Sequence, residues 1–276
     1  MKSFLIGAAT SNSGKTTFTM GLLRALTQRG LCVQPFKCGP DYIDTIFHHM
    51  ASGNESLNLD TFMASAQHVR KIFSDYSQNA DVALAEGVMG LFDGYDGFHG
   101  SSAEIAIMLH LPVILIVNAK SMAYSVAPLI YGFKNFNKNL QIAGVVFNNV
   151  GSENHFRFLK SACNDAGVEC FGYMAKNSEL TIPGRHLGLT ISERQEIYTS
   201  YTRCILSSLP YIVLKPFLTI HYIKIITSGC AGFKYFPQAG KHVLYSPPHL
   251  RGVPKTNSGA GLPQETGAGF FTRRST

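Results

Sequence analysis

The feature that most constrains the fold is a regular alternation of short apolar runs with helix-length amphipathic segments, which extends from residue 2 to about residue 173. Runs such as Val113–Val117 lack the polar alternation of a half-buried strand, so they suit strands buried on both faces. Such strands form parallel sheets with helices on both sides, and the sequence therefore predicts an α/β fold. The predicted strands are Ser3–Ala8, Cys32–Lys37, Val82–Glu86, Val113–Asn118, Ile142–Asn148 and Val168–Tyr173, and the predicted helices are Lys15–Gln28, Thr61–Tyr76, Ala103–Leu111, Tyr124–Phe136 and Glu153–Ala166.

Parallel strands joined by right-handed crossovers place all their carboxyl ends at one edge of the sheet. Ligands of open α/β sheets bind along that edge. The residues that directly follow the predicted strands are therefore the candidates for a binding site, and three of these connections carry charged or glycine-rich motifs.

The connection after the first predicted strand, Ala9–Thr17, has the sequence ATSNSGKTT and leads into the first predicted helix. It matches the phosphate-binding pattern G-x-x-x-x-G-K-[ST], except that Ala9 replaces the first glycine. In such a loop the backbone N–H groups surround a phosphate, Lys15 reaches the β and γ oxygens, and the Thr16 hydroxyl joins the shell of Mg²⁺. A Ser/Gly turn that only caps a helix is the alternative, but the position between a strand and a helix favours the phosphate site.

The second connection contains Gly39-Pro40, which ends the strand, followed by Asp41 and Asp44. Two carboxylates three residues apart at the binding edge could serve a metal ion or an ammonia nucleophile. An Asp-capped turn is the alternative, and this segment taken alone favours the turn.

The third connection follows an apolar strand that ends at Glu86, and it reads EGVMGLFDG, with Asp93 as its second acid. A carboxylate at the end of a buried strand, after a phosphate loop, is the arrangement that orients Mg²⁺ on ATP. The glycine spacing predicts that the backbone approaches a ligand closely here.

The basic residues are concentrated at one end of the sequence. Residues 1–195 contain 15 Lys+Arg and 15 Asp+Glu, whereas residues 196–276 contain 9 and 2, so the whole excess of +7 lies in the last 81 residues. A surface that follows nucleic-acid phosphates belongs to the folded unit, and the charge distribution therefore predicts no nucleic-acid partner. An apolar content of 45% with 15% charged residues excludes a disordered chain.

The thiols and the apolar segments predict a cytoplasmic protein. The six cysteines form no C-x-x-C pair or zinc spacing, and a chain of 276 residues needs no disulfides to be stable. The apolar stretch before the phosphate loop is too short for a signal peptide. Ile205–Ile226 is apolar, but Lys215, His221 and Lys224 interrupt it, so no membrane span is favoured.

Five motifs occur together in the first 195 residues, namely Phe36–Asp44, Asn58–Asp60, Glu86–Gly94, Gly100–Glu104 and Pro183–Leu189. In this combination the sequence resembles the cobyrinic acid a,c-diamide synthase family over residues 3 to about 195. The resemblance implies a P-loop NTPase-like parallel sheet covered by helices, similar to dethiobiotin synthetase and MinD. It also implies an amidoligase that uses ATP, Mg²⁺ and glutamine-derived ammonia on a corrin polycarboxylate during cobalamin biosynthesis.

The resemblance further implies roles for individual residues. The ATP phosphate site would comprise Thr10, Ser11, Asn12, Ser13, Gly14, Lys15, Thr16 and Thr17. Mg²⁺ would be surrounded by Thr16, Asp41 and Glu86, and Asn148 would meet the adenine. The catalytic residues would be Lys15, which stabilises the transferred phosphoryl group, and three residues near the reacting carboxylate and the ammonia, namely Tyr42, Asp44 and Asp93. Glu104, Arg185 and His186 match positions without an assigned role, and helix packing is the prediction for Glu104.

The resemblance ends at about residue 195, which predicts an amidoligase domain over residues 1–195 and an irregular basic tail over residues 196–276. Family members carry a class I glutaminase with a Cys nucleophile after the first domain, and such a domain needs roughly 200 residues. Cys230 lies in a segment that is superficially similar to a nucleophile elbow, but no H-x-E partner follows it. The sequence therefore predicts an ammonia-dependent enzyme, and a frame shift or truncation would explain the change in composition.

Other functions stay open at the level of sequence. A MinD/ParA-like ATPase would switch partners or membrane association through ATP-driven dimerisation, but such proteins usually carry an additional lysine where this chain has Thr10 and Ser11. Dethiobiotin synthetase shares the carboxylate-activating chemistry but lacks the GPDYID and EGVMGLFDG motifs. An inactive remnant that binds ATP without forming amides is the third alternative, and a homodimer is compatible with each.

Overall fold

The computed structural model of the chain describes residues 2–176, which form seven strands and six helices. Their bounds are β1 Lys2–Ala8, α1 Lys15–Thr27, β2 Val33–Cys38, α2 Ile43–Ser52, β3 Leu57–Leu59, α3 Ala66–Ser77, β4 Val82–Glu86, α4 Ser102–Met108, β5 Val113–Asn118, α5 Val126–Asn135, β6 Ile142–Val150, α6 Glu153–Asp165 and β7 Cys170–Ala175. The strands form one sheet in the order β3-β2-β4-β1-β5-β6-β7, and every neighbouring pair is parallel. The predicted α/β fold is thereby confirmed.

Both faces of this sheet are buried, as the continuous apolar runs indicated. In β5, Val113, Leu115 and Val117 belong to one core cluster, whereas Ile114 and Ile116 belong to the other. Alternate side chains of a strand point to opposite faces, so each of these residues packs against a helical layer. A fully buried Val, Leu or Ile side chain contributes about 1.5–3 kcal/mol relative to exposure, which makes the central strands the main source of stability.

The helices divide unequally between the two faces. On one face, α1 buries Phe18, Leu22 and Leu26, which recur every four residues and therefore lie on one side of the helix. The buried apolar side chains of α3, α4, α5 and α6 all belong to the cluster on the other face. The parallel sheet is thus enclosed between two helical layers.

Two elements between β2 and α3 were not predicted from the sequence. α2 has ten residues. Asp41 precedes its first turn, and Gly53, with φ 79°, follows its last turn. β3 has only three residues, and it exists through its pairing with β2, in which Phe36 lies opposite Leu57 and Cys38 opposite Leu59. β3 is too short for a periodic pattern to show in the sequence, whereas α2 begins in the segment after Gly39-Pro40 that favoured a turn. The predicted helix Thr61–Tyr76 also begins later, at Ala66.

The strand order brings two of the connections together at the carboxyl edge of the sheet. β1 lies between β4 and β5, and the chain that follows β4 folds back onto β1 through bonds from Gly87 N to Ile6 O (2.8 Å) and from Leu91 N to Ala8 O (2.8 Å). This packing requires glycine at one position of the third connection, because a Cβ on Gly87 would lie 2.7 Å from the Ser102 hydroxyl oxygen. The predicted close approach of this backbone to a ligand stays a prediction.

Several predictions concern residues outside the described range. The boundary at residue 195, the basic tail 196–276, the Cys230 segment and the apolar segment Ile205–Ile226 all lie beyond residue 176, as do Arg185 and His186. Within residues 2–176, no helix is both long and apolar enough to cross a membrane.

Candidate active site

The loop between β1 and α1 is shaped to bind an anion. Gly14, the residue that precedes α1, has a left-handed backbone with φ 95°, and no side chain caps the N-terminus of the helix. The Ser13 hydroxyl donates to the Thr10 carbonyl at 2.7 Å, which closes the loop on itself. The backbone N–H groups of the first helical turn therefore stay available to a phosphate, in the position that the phosphate-binding motif predicted.

Asn148 holds this loop in place. Its Nδ2 donates to the Ser13 carbonyl at 3.0 Å across 135 residues of sequence. A Cβ on Gly14 would lie 2.1 Å from the same Nδ2, so the close approach of the two chains requires glycine there. The structure thus places Asn148 beside the phosphate loop, while its contact with adenine stays a prediction.

Lys15 extends from the first turn of α1 toward the end of β4. Its side chain is largely buried, and its Nζ donates to the Met89 carbonyl at 2.5 Å. Met89 has a positive φ of 47°, an uncommon conformation for a residue other than glycine, which turns its carbonyl toward the lysine. The connection after β4 therefore orients the lysine ammonium group.

A buried cluster of charges lies next to Thr16. Lys37 Nζ is 2.6 Å from Asp44 Oδ2 and 3.0 Å from Glu86 Oε1, and the side chains of all three residues are at most 3% exposed. His48 donates from Nε2 to Glu86 Oε2 at 2.7 Å, and the Thr16 hydroxyl donates to Glu86 Oε1 at 2.7 Å. The cluster joins three parts of the chain, because these side chains come from α1, from β2 with α2, and from β4.

The cluster shifts the pKa values of its two acids, Glu86 and Asp44, in opposite directions. Burial alone would raise the pKa of Glu86, but the Lys37 ammonium, His48 and Thr16 together hold it well below its usual range. Burial and the Glu86 charge raise the pKa of Asp44 above its usual range, although Lys37 opposes them. Burial alone would lower the pKa of Lys37, but the two carboxylates raise it. The surroundings of Glu86 therefore favour its anion, whereas burial of Asp44 favours its protonated form.

Lys37 and His48 received no role from the sequence. A signal for Lys37 was present, because a lysine within a strand of otherwise buried residues needs a buried counter-charge. His48 follows Asp44 by four residues, which places both on the same side of α2. Neither side chain could be paired with Glu86 before the neighbouring strands were known.

The other predicted catalytic and metal residues lie around this cluster. Asp41 Oδ1 accepts from the backbone N–H groups of Ile43 (2.9 Å) and Asp44 (3.1 Å), so it caps α2, as the alternative interpretation of that turn required. Tyr42 is 71% exposed at the start of the same helix. Asp93 is exposed and accepts from Gly90 N at 2.9 Å within its own loop.

Glu104 makes structural contacts at the start of α4, mainly through hydrogen bonds of its carboxylate. Its carboxylate accepts from the Gly100 backbone N–H at 2.7 Å and from the Thr61 hydroxyl at 3.0 Å, and it lies 3.4 Å from the His99 ring. Burial alone would raise the pKa of Glu104, but these donors hold it below its usual value. Glu104 thus ties the loop before α4 to the segment after β3.

The oxygen atoms around Thr16 fit a magnesium ion. The Thr16 hydroxyl oxygen lies 2.7 Å from Glu86 Oε1 and 3.4 Å from Asp44 Oδ2, and all three are the hard oxygen ligands that Mg²⁺ prefers. Within residues 2–176, no group of three or more His, Cys, Asp or Glu side chains could hold a metal by itself. This donor set therefore suits an ion that arrives with phosphate oxygens, since Mg²⁺ usually takes one or two carboxylates beside them.

Curated proteins similar to this chain are diamide synthases of corrin precursors. The cobyrinate a,c-diamide synthase of Caldanaerobacter subterraneus subsp. tengcongensis is 46% identical over 188 residues, which are 67% of this chain and 41% of the relative. The cobyrinate enzyme of Listeria innocua serovar 6a is 45% identical over 70% of this chain and 44% of the relative. The hydrogenobyrinate a,c-diamide synthase of Brucella ovis is 45% identical over 68% of this chain and 44% of the relative. The chain thus spans less than half the length of these relatives.

Other comparisons concern the fold and the family. Chloroplast FtsY from Physcomitrella patens superposes with a TM-score of 0.45 at 14% identity, over 72% of this chain and 65% of that chain. This likeness is too weak to support any conclusion about the fold beyond the strand order described above. Residues 4–189 match the model of the CobQ/CobB/MinD/ParA nucleotide binding domain, CbiA, and that range includes the phosphate loop and the whole buried cluster. Because the match covers more than half of the chain, the chain belongs to the CbiA family of nucleotide-binding domains.

Proposed function

We propose that this chain provides the ATP-dependent amidation of a cobyrinate a,c-diamide synthase, in which the a and c carboxylates of a corrin polycarboxylate become amides. The observation that carries the proposal is the buried cluster of Lys37, Asp44 and Glu86, in contact with Thr16 of the phosphate loop. This arrangement supplies a phosphate site, a place for a divalent ion and a proton acceptor within one site. The names of the relatives supply the substrate.

The reaction requires that a carboxylate be activated, because its carbon is a poor electrophile. A substrate carboxylate oxygen forms a bond to the γ-phosphorus of ATP while the bond to ADP breaks. The nitrogen of ammonia then bonds to the acyl carbon of this acyl phosphate, inorganic phosphate leaves, and a base takes up a proton from the nitrogen.

The first step falls to the phosphate loop. The N–H groups of the first turn of α1 and the Lys15 ammonium bind the phosphates, where fixed positive charge stabilises the transferred group. Thr16 and Glu86 would hold Mg²⁺, which would neutralise phosphate charge when it is bound. Lys37 keeps the two carboxylates together, because without its charge they would repel each other inside the protein.

Asp44 is the residue best suited to take the proton in the second step. A general base works well when its pKa lies near the working pH, and burial beside Glu86 moves the pKa of Asp44 upward in that direction. Tyr42 and Asp93 lie on exposed segments near this edge, where we place the contact with the substrate. Ammonia as the direct nitrogen donor and a cytoplasmic location are part of the proposal.

The experiment uses the full chain with ATP, Mg²⁺ and cobyrinic acid, supplied in parallel with ¹⁵N-ammonium or with ¹⁵N-amide-labelled glutamine. Mass spectrometry is expected to find ¹⁵N in the corrin with ammonium and not with glutamine. Glu86→Gln should abolish incorporation, whereas Asp75→Asn, in an exposed ion pair on α3, should leave it unchanged. ATP binding without incorporation from either nitrogen source would contradict the proposal and favour an ATPase switch or an inactive remnant.

A further inference from the structure

A cavity of about 470 Å³ lies between two helices, α3 and α4. The segment after β3, the start of α3, the loop before α4 and the side of α4 form its walls. The apolar part of its lining consists of Ala64, Tyr95, Phe98, Ile107 and Met108. This volume falls within the range of about 300–1,000 Å³ that is usual for small-molecule sites, and nothing in the proposed chemistry above uses it.

Large apolar side chains are exposed around this cavity. Phe62 and Met63, which lie in the chain between the lining residues Thr61 and Ala64, are 70% and 75% exposed. Tyr95 is 60% exposed and packs edge-on against Phe62 with ring centroids 5.0 Å apart. Adjacent exposed aromatic rings next to a concave site indicate a surface that receives a flat apolar ligand.

The cavity lining contains one cation, Arg70, and one anion, Glu104. Arg70 lines it, and within residues 2–176 the exposed Arg70 guanidinium has neither an ion pair nor a hydrogen bond to another side chain. Glu104 lines it too, but the Gly100 N–H, the Thr61 hydroxyl and the His99 ring already engage its carboxylate. An arginine binds a carboxylate through two parallel hydrogen bonds, so the complementary ligand carries a carboxylate at its edge.

One loop connects the cavity with the phosphate site. It begins at Met89, whose carbonyl accepts from Lys15, and continues through Asp93 to the lining residues Tyr95 and Phe98. Backbone bonds from Gly94 N to Gly97 O (2.9 Å) and from His99 N to Asp96 O (3.0 Å) fold the loop upon itself. A ligand in the cavity would therefore touch the same loop that orients Lys15.

We propose that this cavity binds the corrin substrate at a part of its edge that does not react, with the apolar ring face on Phe62 and Tyr95 and a peripheral carboxylate on Arg70. This inference rests on the proposed amidation, and it adds the position of the substrate. A corrin combines a flat apolar ring with several carboxylates around it, which is the chemistry that the aromatic rings and the unpaired arginine complement.

The test compares Arg70→Met with the matched control Arg157→Met, since Arg157 is an exposed arginine on α6. Loss of one ion pair with a carboxylate is expected to raise KM for cobyrinic acid about tenfold, with kcat and KM for ATP unchanged. Equilibrium dialysis gives an independent readout. Arg70→Met should weaken binding of cobyrinic acid by a similar factor and leave unchanged the weaker binding of a corrin whose peripheral carboxylates are already amides.

The outcomes separate this inference from the proposed function. If the wild-type chain amidates cobyrinic acid but Arg70→Met matches Arg157→Met in KM and in dialysis, the cavity is not the corrin site while the function stands. A wild-type chain that binds ATP but neither binds nor amidates cobyrinic acid would overturn both. A change in oligomeric state on Arg70→Met without corrin would assign the cavity to a protein contact and would also overturn the inference.

Discussion

Replacing Lys37 with methionine should destabilise the protein strongly, because it removes the one cation between two buried carboxylates. The Lys37 ammonium contacts Asp44 Oδ2 at 2.6 Å, Glu86 Oε1 at 3.0 Å and the Gly87 carbonyl at 3.2 Å. Methionine has a similar length and fills the same space, so the change isolates the charge. Leaving a buried ion without its partner costs about 3–5 kcal/mol.

Urea denaturation followed by far-UV circular dichroism measures this loss, since the chain contains no tryptophan for fluorescence. With an m-value of about 2 kcal/mol per molar urea, the expected fall in the midpoint is about 2 M. Lys71→Met is the matched control, because Lys71 pairs with Asp75 at 2.7 Å on the exposed side of α3 and should show no resolvable shift. A Lys37→Met protein as stable as this control would refute the electrostatic account of the cluster.

The deficit of Lys37→Met should shrink as the pH falls. In the wild type the pKa of Glu86 is held low, so its stabilisation is present above its unfolded pKa and is lost at lower pH. In the variant, burial raises the pKa of both carboxylates, so folding takes up protons and is favoured by acid. The Glu86 contribution of the wild type is present at both about pH 5 and about pH 8, so the gain of the variant in acid makes the difference in the free energy of unfolding smaller at the lower pH. A difference that grows with acidification would contradict this reasoning.

Two further substitution and labelling experiments test other parts of the site. Gly14→Ala should lower ATP affinity at least about tenfold, because its Cβ would meet Asn148 Nδ2 and displace the phosphate loop. The matched control is Gly30→Ala, because Gly30 has a similar φ of 79° and open space around it. This control should cost only about 1 kcal/mol of stability and leave ATP binding unchanged. Burial raises the pKa of Cys38 to about 12, so iodoacetamide at about pH 8 should modify the exposed Cys32 long before Cys38 in a peptide map. Equal ATP affinity of the two alanine variants, or equal labelling of the two thiols, would contradict these expectations.

The sequence predicted the strands because burial on both faces leaves a long apolar run that local composition reveals. Six of the seven strands and five of the six helices of the described residues follow from such patterns, while α2 and β3 do not. β3 exists through its pairing with β2, and α2 begins in a segment whose Gly-Pro and aspartates favoured a turn. The phosphate loop was predictable for a related reason. Its glycine, lysine and threonine are consecutive, and their chemistry depends only on a strand before them and a helix after them.

The buried cluster depended on tertiary structure. Glu86 contacts Lys37 and Thr16 because β4 lies between β1 and β2 in the sheet. No local sequence pattern specifies this strand order. Similarly, Asn148 reaches Ser13 only because β6 follows β5 and β1 in the sheet. Local spacing was enough to predict the fold class and the strand ends that carry charged or glycine-rich motifs. Which charges neutralise each other depends on strand pairing, because a buried ion is stable only beside the partner that this pairing brings to it.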